Sequence, residues 1–145
     1  MRLHLKDESE TQRLGERLAA IARPGDALLL EGPLGAGKSS LARAFIRAAM
    51  GDPRLTVPSP TFTLVQSYET PGGDRIFHYD LWRLDGPAAL EELGWDEALG
   101  GIVLVEWPDR LGALAPPGAW RLRLALAGEG RDVEIEGELR GFDAS

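Results

Sequence analysis

The sequence predicts a three-layer α/β fold with a mainly parallel central sheet and antiparallel hairpin additions. Three observations lead there. Residues 27–31 and 101–106 are short unbroken apolar runs, the pattern of strands buried on both faces of a parallel sheet. The first run passes through a glycine-rich loop straight into an amphipathic stretch at 38–50, a strand–loop–helix unit. Residues 120–126 and 133–139 instead alternate apolar and polar, as strands with one wet face do.

Taken in order, residues 9–22 form a predicted amphipathic helix. Ser9 with Gln12 fits a capping box, and Leu14, Leu18 and Ile21 share a face. Arg23-Pro24-Gly25-Asp26 is a turn into the strand at 27–31. The helix at 38–50 is closed by Gly51 and Pro53. Residues 56–61 (TVPSPT) form a proline-stiffened loop, and 62–68 and 76–79 read as strands of a hairpin joined through 70–74. Asp85, in an N-cap region, and Pro87, in the first turn, start a helix over 88–93. After the strand at 101–106 come the two alternating strands, with Gly128-Glu129-Gly130-Arg131 turning between them. That hairpin sets Arg121 and Arg123 on a polar side where Glu134 or Glu136 can face them. Residues 1–140 read as one domain, with 141–145 (GFDAS) a loose tail.

Bulk properties narrow the function. The 145 residues, 43% hydrophobic and 27% charged, suit one soluble globular domain. Without cysteine there are no disulfides, thiolate metal sites or Cys nucleophiles, and His4 and His78 lie too far apart in sequence to suggest zinc. The N-terminus lacks a signal-peptide core and no segment has the length of a membrane span, so the expected location is the cytoplasm. A net charge of −7 argues against direct nucleic-acid binding, which needs clustered Lys and Arg. The lysines are Lys6 and Lys38.

Lys38 belongs to the most informative motif. Gly32-Pro33-Leu34-Gly35-Ala36-Gly37-Lys38-Ser39 matches G-x-x-x-x-G-K-[ST], the phosphate-binding P-loop, and turns the α/β prediction into a three-layer P-loop NTPase fold. Its glycines let the backbone curl into a nest of N–H groups, and the following helix aims the positive end of its dipole at the same point. Lys38 can reach the β- and γ-phosphates of ATP, and the Ser39 hydroxyl can bind Mg²⁺. An acidic residue at a neighbouring strand end completes such a site. Asp80 and Glu106 both qualify: one can anchor metal while the other polarises water, and the sequence does not divide the roles. By position alone Ser59-Pro60-Thr61 is a plain connection, His78 a satisfied core histidine, and Trp107 either a site-edge or a packing residue.

These motifs resemble the TsaE (YjeE) ATPases of bacterial tRNA threonylcarbamoyladenosine synthesis. The matching pieces are GPLGAGKSS at 32–40, SPTFTLVQSY at 59–68, HYDLWRL at 78–84, VLVEWP at 103–108 and the pair Gly130-Arg131. The resemblance implies an ATPase that acts on a complex of TsaD with TsaB rather than on tRNA, resetting it between turnovers. It places Lys38 on phosphate, Ser39 on Mg²⁺, Glu106 as a metal or water-polarising residue and Asp80 as a required acid. It raises Thr61 to a switch-like contact and Trp107 to a residue of the site edge. Ser40 follows Ser39 where a Thr pair is usual, and Glu8 and Gly130 become nucleotide-edge positions. Pro33 departs from the family, which usually has an acidic residue there, and it removes one N–H from the nest.

Two other functions use the same loop: a small-molecule kinase, and a nucleotide-dependent binding switch that does not hydrolyse. No arginine cluster of lid-like spacing supports the kinase, and the two carboxylates favour hydrolysis over the switch. A guanine-reading N-K-x-D motif is absent, since Leu5 precedes Lys6 and Gly37 precedes Lys38. The oligomeric state has no signal.

Overall fold

The computed structural model describes residues 1–137. Along the chain run β1 (Arg2–Leu5), α1 (Glu8–Ile21), β2 (Ala27–Glu31), α2 (Lys38–Met50), β3 (Val65–Glu69), β4 (Arg75–Asp80), α3 (Trp95–Ala98), β5 (Ile102–Glu106), β6 (Trp120–Ala127) and β7 (Gly130–Glu136). The strands form one seven-stranded sheet in the order β1-β7-β6-β2-β5-β4-β3. β6, β2, β5 and β4 are parallel neighbours, whereas β7 is antiparallel to both β6 and β1, and β3 to β4. The predicted fold class, with its parallel centre and antiparallel flanks, is the one observed.

Alternation along the central strands builds the three layers. Leu28 and Leu30 of β2, with Ile102 and Leu104 of β5, face one core shared with Leu14 and Leu18 of α1 and Leu41, Phe45 and Ile46 of α2. Leu29, Val103 and Val105 face the other core with Phe77, Tyr79, Leu90, Trp95 and Leu111. Both faces are covered, so β2 and β5 read as continuous apolar runs. Burying each such Leu or Val stabilises the sheet by roughly 1.5–3 kcal/mol.

Several boundaries differ from the sequence expectations. The α1 cap is Asp7, not Ser9: the Asp7 side chain accepts from the Glu10 N–H, and the Ser9 hydroxyl, already in the first turn, donates to Asp7 Oδ1 at 2.6 Å. A carboxylate wins this position because it accepts both bonds and faces the positive end of the helix dipole. The strand predicted at 62–68 begins only at Val65, because 61–63 form a turn that leaves Phe62 exposed. Gly86 rather than Asp85 caps the next helix, and Pro87–Leu93 is 3₁₀, closed by a left-handed Gly94 after a single buried residue, Leu90. A second 3₁₀ segment, Pro108–Leu114, broken at Gly112, and the edge strand β1 have no counterpart in the sequence reading.

The final hairpin is tighter than predicted. Only Gly128 and Glu129 lie between the paired residues Ala127 and Gly130, so Arg131 belongs to β7 and not to the turn. The predicted strand 133–139 starts earlier, at Gly130, and ends at Glu136; residues 138–139 and the tail at 141–145 lie outside the described residues. Arg123 does meet Glu136 at 2.6 Å, while Arg121 turns to Glu31 at 2.9 Å.

Candidate nucleotide site

The ends of β2, β5 and β4 converge at one edge of the sheet. Leu30 of β2 stands beside Glu106 of β5, and Glu106 beside Asp80 of β4. From β2 the chain enters the loop at 32–37, where Gly32, Gly35 and Gly37 all have positive φ, and then begins α2 at Lys38. Pro33 lacks an N–H, yet its carbonyl accepts from the Ala36 N–H at 3.1 Å and from Lys38 Nζ at 3.0 Å, so the loop closes around it. Leu34 stands out at the tip, 83% exposed.

Lys38 is a buried cation at the centre of this arrangement. Its ammonium also donates to the Gly32 carbonyl and lies 4.0 Å from the centroid of the Trp107 ring. Burial lowers the Lys38 pKa below the ordinary lysine value, against the opposing charges of Glu106 and Asp80. Trp107 is held in left-handed backbone (φ 59°, ψ 54°), a conformation that costs a bulky residue roughly 1–2 kcal/mol. In that conformation its ring lies over Lys38 and against Trp82, 4.4 Å between centroids.

The two acids are held differently. Ser39 Oγ donates to Glu106 Oε1 at 2.8 Å, and Glu106 Oε2 sits 2.7 Å from His78 Nε2. Burial would raise the Glu106 pKa; the hydrogen bond and charge of His78, the Ser39 hydroxyl and the Lys38 charge outweigh it and hold the carboxyl below its ordinary value. Asp80 accepts from Thr61 Oγ1 at 3.1 Å and from the Trp82 N–H at 3.1 Å, and Thr61 is also 2.8 Å from Ser59 Oγ. Ser59 and Thr61 therefore join the site, which position in the sequence alone did not favour.

Together Lys38, Ser39, Thr61, Asp80, Glu106 and Trp107 line a cleft of about 230 Å³. Pockets that bury a whole small ligand run roughly 300–1,000 Å³, so this one suits phosphates and an ion, with the rest of a nucleotide at its edge. Ser40, Leu34, Gly35 and Gly37 lie on its wall, while Ala36 is fully buried beneath the loop. Among the described residues no group of three or more His, Cys, Asp or Glu side chains forms a metal cage. A Mg²⁺ site does not need one, because Mg²⁺ takes one or two protein oxygens and fills its shell with phosphate and water. Ser39, Glu106 and Asp80 supply hard oxygen donors of that kind.

A family model described as threonylcarbamoyl adenosine biosynthesis protein TsaE matches residues 5–133. The chain belongs to the TsaE family. Among similar proteins, the tRNA threonylcarbamoyladenosine biosynthesis protein TsaE of Rickettsia felis is 39% identical over 130 residues, covering 89% of this chain and 75% of the relative. Its namesake from Bacillus subtilis is 36% identical over 122 residues, covering 83% and 74%. The crystal structure of Bacillus subtilis YdiB superposes with a TM-score of 0.76 at 28% identity, covering 94% of this chain and 84% of that one. The family is one of tRNA threonylcarbamoyladenosine biosynthesis, and its P-loop accords with nucleotide binding. Among the described residues no helix is long and apolar enough to cross a membrane.

Glu8 opens α1 and Gly130 opens β7, and neither is among the residues that line the cleft, whereas Arg131 is. Gly130 packs so closely on the Leu5 carbonyl of β1 that a Cβ has no room there. Its neighbour Arg131 pairs with Glu8 at 3.0 Å and lays its guanidinium along the loop at Gly37. Sequence reasoning left Arg131 out of the site and read His78 as an ordinary core residue. Period-two alternation is the signal for His78, which stands on the same face of β4 as Asp80.

Proposed function

We propose that the cleft binds Mg·ATP and hydrolyses it by in-line attack of water on the γ-phosphate, and that this turnover acts on a TsaB–TsaD complex during tRNA threonylcarbamoylation, without direct tRNA binding. The observation that carries the chemistry is the placement of Ser39 Oγ 2.8 Å from Glu106, with Asp80 on the adjacent strand end. Ser39 and Glu106 would hold the cation. Mg²⁺ held there would neutralise charge on the phosphate oxygens. Asp80, steadied by Thr61, lies on the far side of Glu106 from the loop and takes the proton of the attacking water. Lys38 leaves the Gly32 and Pro33 carbonyls for the β- and γ-phosphates, and the loop N–H groups take the remaining oxygens. Glu8 and Gly130 border the nucleoside end.

Water attack breaks the bond between the β,γ-bridging oxygen and the γ-phosphorus, giving ADP and inorganic phosphate. Positioning and charge neutralisation supply most of the acceleration, since the protein forms no covalent bond to phosphate. The partner reading is supported by family membership and by the acidic charge, which disfavours direct contact with tRNA. A cytoplasmic location follows from that role.

Equilibrium binding of ATP with and without Mg²⁺, paired with Asp80→Ala and Glu106→Ala, tests the chemistry. Both variants should bind ATP and fail to hydrolyse it; normal turnover in either refutes the role given to that residue.

A further inference from the structure

β4 carries a buried imidazole that the proposed chemistry does not use. His78 is 2% exposed, as is Glu106, and its Nε2 lies 2.7 Å from Glu106 Oε2. A carboxylate only accepts, so Nε2 carries the proton and donates. Nδ1, on the other side of the ring, is buried with no hydrogen-bond partner. An apolar side chain at 78 would avoid that unpaired atom and would suit β4, whose Ile76 faces the same core. The histidine makes sense through what its other nitrogen holds.

Glu106 divides its two oxygens between two donors. Oε1 receives the Ser39 hydroxyl, which rotates freely about its own C–O bond, whereas Oε2 receives a ring locked into the sheet core. Without the ring, the carboxylate can turn about its last torsion and present either oxygen to Ser39 or to the nearby Lys38 charge. We propose that His78 is a positioning residue: its Nε2–H fixes the Glu106 carboxylate in one orientation, with Oε1 toward Ser39 and the cleft. The inference rests on the reading of the cleft as a Mg–nucleotide site. It adds a residue that touches neither nucleotide nor ion and acts through Glu106.

The test compares His78→Leu, which removes the donor, with His78→Gln, whose amide nitrogen reaches the place of Nε2. Thermal unfolding without ligand establishes that each variant folds, and ADP affinity without metal reports the loop alone. Mn²⁺ affinity of the protein–ADP complex, by electron paramagnetic resonance, reports Glu106, and turnover is measured last. His78→Leu should keep metal-free ADP affinity while losing roughly tenfold or more in Mn²⁺ affinity, as loss of a ligand's supporting hydrogen bond does. His78→Gln should recover most of that loss and of turnover. If His78→Leu does not fold, His78→Asn, with an amide too short to reach Oε2, takes its place. Unchanged Mn²⁺ affinity in the donorless variant, or equal losses in the Gln variant, overturns the positioning role. Failure of the parent protein to bind ADP at all overturns the nucleotide reading itself.

Discussion

Ser39 and Glu106 lie 67 residues apart in the chain and 2.8 Å apart in the fold, joining the first turn of α2 to the end of β5. The contact forms because β2 and β5 are parallel neighbours that end together, so the helix after one starts beside the last side chain of the other. Ser39→Ala removes the proposed metal ligand and leaves Glu106 Oε1 without its donor. Its affinity for ATP should then become nearly independent of Mg²⁺, with a loss of about tenfold, or ~1.4 kcal/mol, in the Mg²⁺-containing titration only. Calorimetric titrations with and without Mg²⁺ measure that difference.

Asp80 and Thr61 should behave as a pair. Asp80→Asn is expected to leave ATP affinity little changed and to lower turnover by roughly 10²–10⁴, the usual contribution of a positioned general base. Thr61→Val should produce a smaller loss. In the double variant the losses should fall short of additive, because both act through the one bond from Thr61 Oγ1 to Asp80 Oδ2. Single-turnover rates of the four proteins decide it.

Much of this arrangement could be read from the chain alone. β2, α2 and β5 were recoverable because burial on both faces, or on one helical face, leaves periodic or unbroken apolar runs. The β1 strand was not, since an edge strand of four residues, RLHL, has too few positions for alternation to register. The two 3₁₀ segments hold their shape by packing a few side chains such as Leu90 and Leu111, which leaves no helical period. The site residues anchored in the loop and at the strand ends followed from motif chemistry. Arg131 escaped because its role depends on β7 lying beside β6, a pairing that brings position 131 to Gly37.

Gly37 shows how tightly that edge fits. With φ at 102°, a Cβ at this position would stand 2.7 Å from Arg131 Cδ and Nε. Gly37→Ala should destabilise the protein by about 1–2 kcal/mol from backbone strain alone, and displace Arg131 from Glu8. Gly37→Ala combined with Arg131→Ala removes the collision but keeps the strain, so chemical denaturation should find part of the loss restored.

The Glu106 carboxyl is held below its ordinary pKa, first against burial and then by His78, Ser39 and Lys38. The sign follows: the folded state binds the proton less readily than the unfolded chain, so the carboxylate adds stability above the ordinary carboxylate pKa. That contribution fades as pH falls through the ordinary value toward the lower folded one. Glu106→Gln should therefore be less stable than the parent at neutral pH, with the gap narrowing by about pH 3. Urea midpoints across that range test it; a gap independent of pH contradicts the ionised, hydrogen-bonded carboxylate.

Trp107 offers a native probe, since Lys38 rests on its ring. On the proposed reading, nucleotide binding would draw the ammonium toward the phosphates and change the indole environment, so tryptophan emission should shift on adding ATP. Trp107→Phe should lose most of that change although Trp82, Trp95 and Trp120 remain. A full-sized signal in the variant would place the reporting residue elsewhere.

Release of inorganic phosphate from Mg·ATP, with and without the TsaB–TsaD complex of the same organism and with Lys38→Ala as blank, decides whether the cleft is a partner-coupled ATPase. Slow release by the chain alone, accelerated by the complex and abolished in Lys38→Ala, is the expected result. Nucleotide binding without release under either condition, or release that Lys38→Ala leaves intact, would contradict it.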